Sequence, residues 1–117
     1  MKMKFSFLFR NHEETRDTDR YTLFLQNNII PNILEVDGVS HVELCHLAPF
    51  TFAMTQDGTQ TEPQHVLQMD IYYDSVIDFQ QAMNSFNNAY LVDEIVKASE
   101  YTDLYISCIV DYTPENV

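Results

Sequence analysis

Hydrophobic and polar positions alternate from the start of the chain: Met3, Phe5, Phe7 and Phe9 are interleaved with Lys4, Ser6, Leu8 and Arg10. A period of two in so aromatic a run predicts a strand with one apolar face turned to a core. A polar connection follows over Asn11–Arg16, and then the period changes. Tyr21, Phe24, Leu25, Ile29, Ile33 and Leu34 recur at helical spacing, with Asp17 or Thr18 placed as the cap and Asp19 in the first turn. Pro31 lies inside this run. It has no N–H and disfavours helical geometry in the residue before it, so a kink or restart is expected near Ile30. Asp37-Gly38 ends the run, glycine being free to take the left-handed conformation of a helix terminus.

The second half repeats the scheme. Val39–Leu47 reads as a strand whose imperfect alternation leaves open which face meets the helices. Ala48–Gln64 reads as a long hairpin connection with a turn at Asp57-Gly58, and the strand before it could reach Met54. His65–Tyr73 is a third strand, with Leu67, Met69, Ile71 and Tyr73 as its core face. Ser75 and Asp78 are spaced to start a second helix, amphipathic over Val76, Phe79, Met83, Phe86 and Tyr90, with Phe79, Met83, Phe86 and Tyr90 expected in the core. Asn84-Ser85 and Asn87-Asn88 are poor helix formers and predict a break, after which Leu91–Ala98 resumes. Thr102–Tyr112 closes the chain as a strand.

The order β-α-β-β-α-β in 117 residues predicts a single α+β domain over residues 1–117. It is the ferredoxin-like arrangement: a four-stranded antiparallel sheet with both helices on one face. The other face would carry Lys4, Ser6, Leu8, Gln68, Asp70, Tyr72, Tyr105, Ser107 and Ile109. Too aromatic to stay bare and too polar to be core, it is expected to pair with its own copy into a homodimer.

Composition narrows the partners. A formal net charge of −12 leaves too few cations to neutralise phosphates, so neither nucleic acid nor an anionic membrane is an expected partner. No signal-peptide pattern opens the chain, and no apolar run approaches the ~20 residues of a membrane span, so a cytoplasmic protein is expected. The two cysteines, Cys45 and Cys108, lie in predicted strands without CxxC spacing and are expected as buried, reduced thiols.

Several features together resemble the EthD-like members of the dimeric α/β-barrel (ferredoxin-like) superfamily, over most of the chain. They are the helix beginning near Tyr21, the spacing from Pro31 to Gly38 into a strand, and the Asp57-Gly58 turn before Pro63. The tract Ile71-Tyr72-Tyr73-Asp74-Ser75 leading into an amphipathic helix and the closing strand complete the set. The resemblance implies a homodimer in which two sheets face each other around a cavity. It also implies company with cofactor-independent monooxygenases, haem-degrading proteins, isomerases, and decarboxylases or cyclases of polyketide-like compounds. One position departs from it. EthD-like sequences commonly carry a His two residues before the helix proline, and this chain has Ile29 there. The fold expectation is untouched, whereas inheritance of an activity loses its imidazole.

The remaining candidates for chemistry sit on strands. His41, Glu43 and Cys45 share one strand face, about 6.5–7 Å apart in succession, and read as a polar pocket wall. No metal site is expected from them. Asp70, Tyr72, Tyr105 and Ser107 would face the same cavity, where burial disfavours an ionised carboxylate and tunes it toward a general base while tyrosines orient a ligand oxygen. His12, Glu13 and Glu14 are expected in a solvated loop. The sequence contains no GxGxxG, P-loop, HExxH or GxSxG motif, and no cofactor is expected. The expected function is therefore a cofactor-independent enzyme or binder for a small apolar or aromatic compound. A non-catalytic homodimeric interaction or stress-associated domain and a haem- or metal-binding protein are the alternatives.

Overall fold

The computed structural model describes residues 1–48 and 64–115. The Asp57-Gly58 turn, Pro63 and the proposed reach of the second strand to Met54 lie outside them. Strand β1 (Lys2–Arg10) leads into α1 (Thr18–Phe24), a π-helical turn (Leu25–Ile29) and α2 (Ile30–Leu34). Strands β2 (His41–His46) and β3 (His65–Tyr73) follow, then α3 (Val76–Ser85), α4 (Ala89–Ala98), a 3₁₀ turn (Ser99–Tyr101) and β4 (Thr102–Ile109). The sheet is four-stranded and antiparallel in the order β2-β3-β1-β4, the ferredoxin-like topology.

Register decides which residues share a face, because directly opposed residues of an antiparallel pair do. Phe5 lies opposite Ile71 and Ile106, and Phe7 opposite Met69 and Leu104. Ile71 and Met69 in turn lie opposite Val42 and Leu44. The helices cover this face, so Val42 and Leu44 of β2 look toward them while His41, Glu43 and Cys45 look away. The core is Met3, Phe7 and Phe9 of β1, Leu67, Met69, Ile71 and Tyr73 of β3, and Tyr21, Leu25, Ile29, Ile33, Ala82 and Leu91 from the helical layer.

The helical layer is capped as its sequence implies. Asp17 accepts a bond from the Arg20 N–H, and Ser75 Oγ accepts one from the Asp78 N–H. Pro31 does interrupt the first arm. The N–H of Ile30 reaches Leu25 O, five residues back, which makes the turn before it π-helical, and α-helix resumes at Ile30. Gly38 has φ +97°, and a Cβ there would run into the backbone carbonyl of Asp78, so glycine lets the chain pass against the start of α3. Asn88 breaks the second arm, its side chain capping α4 through the Leu91 N–H.

Four expectations need correction. Cys45 and Cys108 are free but exposed, because β2 and β4 are the two edges of the sheet. Three strand spacings, about 14 Å, separate those edges, far beyond disulfide reach. Met83 and Tyr90 are exposed rather than core, since α3 and α4 are separate helices and the stripe turns outward across the break. The last strand ends at Ile109, and β4 keeps Leu104 and Ile106 exposed on the helix side because the helices centre over β1 and β3. The loop after β1 is anchored rather than merely solvated: Thr15 is fully buried, and its hydroxyl donates to Arg10 O at 2.6 Å. No helix among the described residues is long and apolar enough to cross a membrane.

Candidate functional site

Two apolar chambers lie between the sheet and the helices. The first, about 80 Å³, is bounded by Phe7, Phe9 and Met69 below, Tyr21, Leu25 and Ile29 from the first arm, and Leu91 and Ile95 from α4. The second, about 110 Å³, lies beside it under Ile33, Val36, Met83 and Phe86. Phe7, Ile29, Met69, Leu91 and Ile95 form walls of both. Leu25 and Ile29 belong to the π turn, a local irregularity that recurs at functional sites. Apolar-lined pockets of this kind accept apolar guests.

The first chamber is not wholly apolar. Thr102 lines it and is 8% exposed, and among the described residues its Oγ1, itself covered by neighbouring atoms, has no hydrogen-bond partner. A buried hydroxyl without a partner is costly and rare. Tyr21, Phe24, Glu94 and Tyr101 line both this chamber and an open polar cleft of about 550 Å³ outside it, so they frame a mouth. The Tyr21 and Tyr101 hydroxyls are 3.3 Å apart. Burial, reinforced by that bond and by the Tyr101, Glu94 and Glu14 charges, pushes the Tyr21 phenol far above its ordinary range, so it stays protonated. His12 stacks on Tyr101 with ring centres 4.8 Å apart, and its Nδ1 accepts the Glu14 N–H.

The sequence-derived candidates lie on the opposite face of the sheet. His41 stacks on Tyr72 at 4.4 Å, and Glu43 bridges the edges of the two rings, 3.4 Å from His41 Nε2 and accepting from the Tyr72 hydroxyl at 3.1 Å. Desolvation first, then the bond to Glu43, pushes the Tyr72 phenol up to about 12. Asp70 is buried and accepts from Ser6 Oγ at 2.5 Å and from Gln68 Nε2 at 3.0 Å. Tyr105 is opposite Ser6 and Ser107 opposite Lys4, so both lie on this face across β1 from the His41 cluster. His41, Glu43 and Tyr72 are thus brought together, Asp70 is tied up beside them, and Tyr105 and Ser107 stand apart. Among the described residues no group of three or more His, Cys, Asp or Glu is placed to hold a metal ion. At one end of the same face His65 Nε2 is 2.8 Å from Asp103 Oδ2, with Arg10 Nε at 3.3 Å. The His65 bond, ahead of the Arg10 charge, lowers the Asp103 carboxyl below the ordinary value.

Pattern reading passed over Tyr21's hydroxyl, Glu94, Tyr101 and Thr102. One signal was there to be used. Leu91, Glu94, Ile95 and Ala98 fall at i, i+3, i+4 and i+7, which puts a carboxylate on the buried stripe of α4. Thr102 and the tyrosine pair carry no such mark, since the mouth joins segments far apart in sequence.

No protein-family model and no curated protein matches this sequence. Solved structures do match, and they place the chain in the ferredoxin-like fold. An EthD family protein from Bacillus halodurans superposes with a TM-score of 0.69 at 20% identity, covering 94% of this chain and 100% of that one. An EthD-like protein from Ralstonia eutropha gives 0.64 at 15% identity, covering 97% and 96%. SnoaB from Streptomyces nogalater, described as a cofactor-independent oxygenase and solved as a mutant, gives 0.57 at 7% identity, covering 97% of each chain. At these identities the likeness is one of fold.

Proposed function

We propose that this protein binds a small, mainly apolar molecule in the first chamber, admitted from the cleft whose lining of Tyr21, Phe24, Glu94 and Tyr101 it shares. The observation that carries the reading is an apolar cavity of about 80 Å³ whose outer lining of Tyr21, Phe24, Glu94 and Tyr101 is shared with a polar cleft. The chemistry on offer is positioning: the hydroxyls of Tyr21 and Tyr101 can orient a ligand oxygen or nitrogen at the edge of an aromatic floor. Turnover of such a compound without a cofactor, the description SnoaB carries, is the enzymatic form of the same reading. Thermal-shift screening against small aromatic compounds tests it. A saturating ligand is expected to stabilise the fold by about 2.7 kcal/mol at 100 times its Kd. Ala98→Phe, which fills the chamber from α4, should abolish that gain. Stabilisation that survives Ala98→Phe, or none from any compound, overturns the reading.

A second reading concerns the open face. Tyr105 is 59% exposed there, beside Ser107, and the His41 and Glu43 side chains are each 53% exposed. Pairing with a second copy would cover them and make His41, Glu43, Asp70, Tyr72, Tyr105 and Ser107 the lining between two sheets. With each chain at −12, the contact must rest on apolar area. Light scattering should return a dimer that Tyr105→Asp dissociates, and a stable monomer at micromolar concentration removes this reading.

A further inference from the structure

We infer that the second chamber has a gate of its own at the joint between α3 and α4, held shut by a hydrogen-bonded latch of Asn28, Asn32 and Asn88. The gate concerns the second chamber and does not depend on what occupies the first.

The joint is Phe86-Asn87-Asn88, three residues outside both helices, with Phe86 and Asn88 extended at ψ 90° and 105°. Such backbone can absorb a change of dihedral angle without unmaking a helical turn, which is what a hinge requires. Phe86 and, three residues earlier, Met83 wall the second chamber opposite Ile33 and Val36. Met83 is also 39% exposed, so this flexible, unbranched side chain has solvent on one side and the chamber on the other. Outside lies a polar cleft of about 450 Å³, lined in part by Asn32, Val36, Ser85, Asn87 and Asn88. Val36 borders both spaces, so at that point one side chain separates cleft from chamber.

The latch crosses this wall. Asn88 Nδ2 donates to Asn32 Oδ1 at 3.2 Å, and Asn32 Nδ2 donates to Asn28 O at 2.7 Å. Asn28 lies in the π turn, next to Ile29 on the chamber wall. Asn88 Oδ1 accepts the Leu91 N–H, so the side chain that starts α4 also holds it to the first arm. Among the described residues, the Asn88–Asn32 bond is the only side-chain hydrogen bond from α1, the π turn or α2 to α3 or α4. Apolar contact across the chamber is non-directional, and the bond is what gives the closed arrangement one geometry. Both amides border the cleft, so water takes the place of their bond when it breaks and opening strands no polar group.

The test is NMR of the intact chain with methyl-labelled methionine and benzene as the guest. Of the two chambers Met83 lines only the second, whereas Met69 lines both. Benzene should shift the Met83 methyl. Asn32→Ala removes both latch bonds, leaves Asn88 to cap α4 and puts a better helix former in α2. It should speed benzene entry and release at Met83 about 10-fold each. The affinity should stay within about 2-fold, because the latch is closed with and without the guest. Amide protection in β1 and β3 should persist, which shows that the variant is folded. Asn84→Ala, in α3 and without a bond to the first arm among the described residues, should change neither rate. Unchanged rates in Asn32→Ala, or equal acceleration by Asn84→Ala, overturn the gate. So does a benzene shift at Met69 with none at Met83, a result that leaves binding in the first chamber standing. No shift at either methyl removes the gate and counts against the first chamber as well.

Discussion

Replacing Ile29 with His restores the residue type that the EthD-like pattern carries at this point, and it probes the chamber directly. Ile29 is 6% exposed and forms a wall of both chambers. Burial of an Ile side chain is worth about 1.5–3 kcal/mol, part of which an imidazole keeps through its carbons. The new ring brings a donor and an acceptor. On the second-chamber side the surrounding walls are carbon and sulfur apart from the Tyr73 hydroxyl. An unpaired buried polar group costs about 1–3 kcal/mol. Together these give a loss of about 3–4 kcal/mol at pH 8, a large share of a typical domain's ~5–15 kcal/mol.

Urea unfolding at pH 8 and at pH 5.5 measures both parts. An imidazole buried without a partner has a folded-state pKa below its unfolded value of about 6.5. The unfolded state then binds more protons, so stability rises with pH, and the variant should lose a further ~1.4 kcal/mol one unit below 6.5. Ile29→Val should cost only about 0.5–1.5 kcal/mol with no such pH dependence. An Ile29→His variant within about 1 kcal/mol of the parent at pH 8 would mean that the chamber is wet. A variant that gains stability on acidification would mean that the ring has found a carboxylate. Either result refutes the picture of a dry apolar wall.

Thr102→Val removes the unpartnered hydroxyl and should leave the ligand-free fold unchanged or more stable by up to about 1 kcal/mol in chemical denaturation, whereas a loss of 2 kcal/mol or more would show the hydroxyl to be satisfied. Gly38→Ala forces a Cβ at φ +97° into the Asp78 carbonyl and should cost at least about 2 kcal/mol by the same assay. Asp103 has a folded pKa below its unfolded one, so its contribution is present above the unfolded value and is lost as pH falls through the folded value. An NMR titration should place its midpoint below 3.8, and His65→Gln should move it up. Asp70→Asn replaces an acceptor of Ser6 and Gln68 bonds with a group that also donates. It should lower stability by about 1–3 kcal/mol, measured by urea unfolding, and a fully stable variant would contradict a structural role for those bonds.

Where one face of an element is buried and the other is not, the pattern was legible. The strict alternation of β1 and β3 follows from a sheet covered on one side, and both strands lie where the alternation put them. β2 resisted reading because six residues at an edge carry too little burial to mark a face: Val42 and Leu44 are only half-buried. Pro31 announced a break but not its form, since a missing N–H is compatible with either a kink or a π turn. Cys45 and Cys108 misled because cysteine is usually buried, and only strand order puts them on edges. The His41, Glu43 and Tyr72 cluster was half legible: strand periodicity aligned His41 with Glu43, and the β2–β3 register then brought Tyr72 opposite His41. The mouth could not be read at all, because Tyr21 and Tyr101 are 80 residues apart and meet only through the fold.

Ile29 links the two halves of this account. The resemblance implies an imidazole midway along the first arm, and the structure puts that position on the partition between the chambers. With Ile there, that partition offers a ligand no polar side chain. The polar groups that remain are peripheral: Tyr21, Tyr101 and Glu94 at the mouth, and Ser99 and Thr102 where the chain passes from α4 into β4. A guest suited to this arrangement has an apolar middle and polar ends, and a compound whose only polar group is central would be left unpaired at a cost of about 1–3 kcal/mol. An Ile at this position therefore bears on which molecules fit, and on where a reactive group could be held, while the aromatic floor of Phe7 and Phe9 stays part of the core.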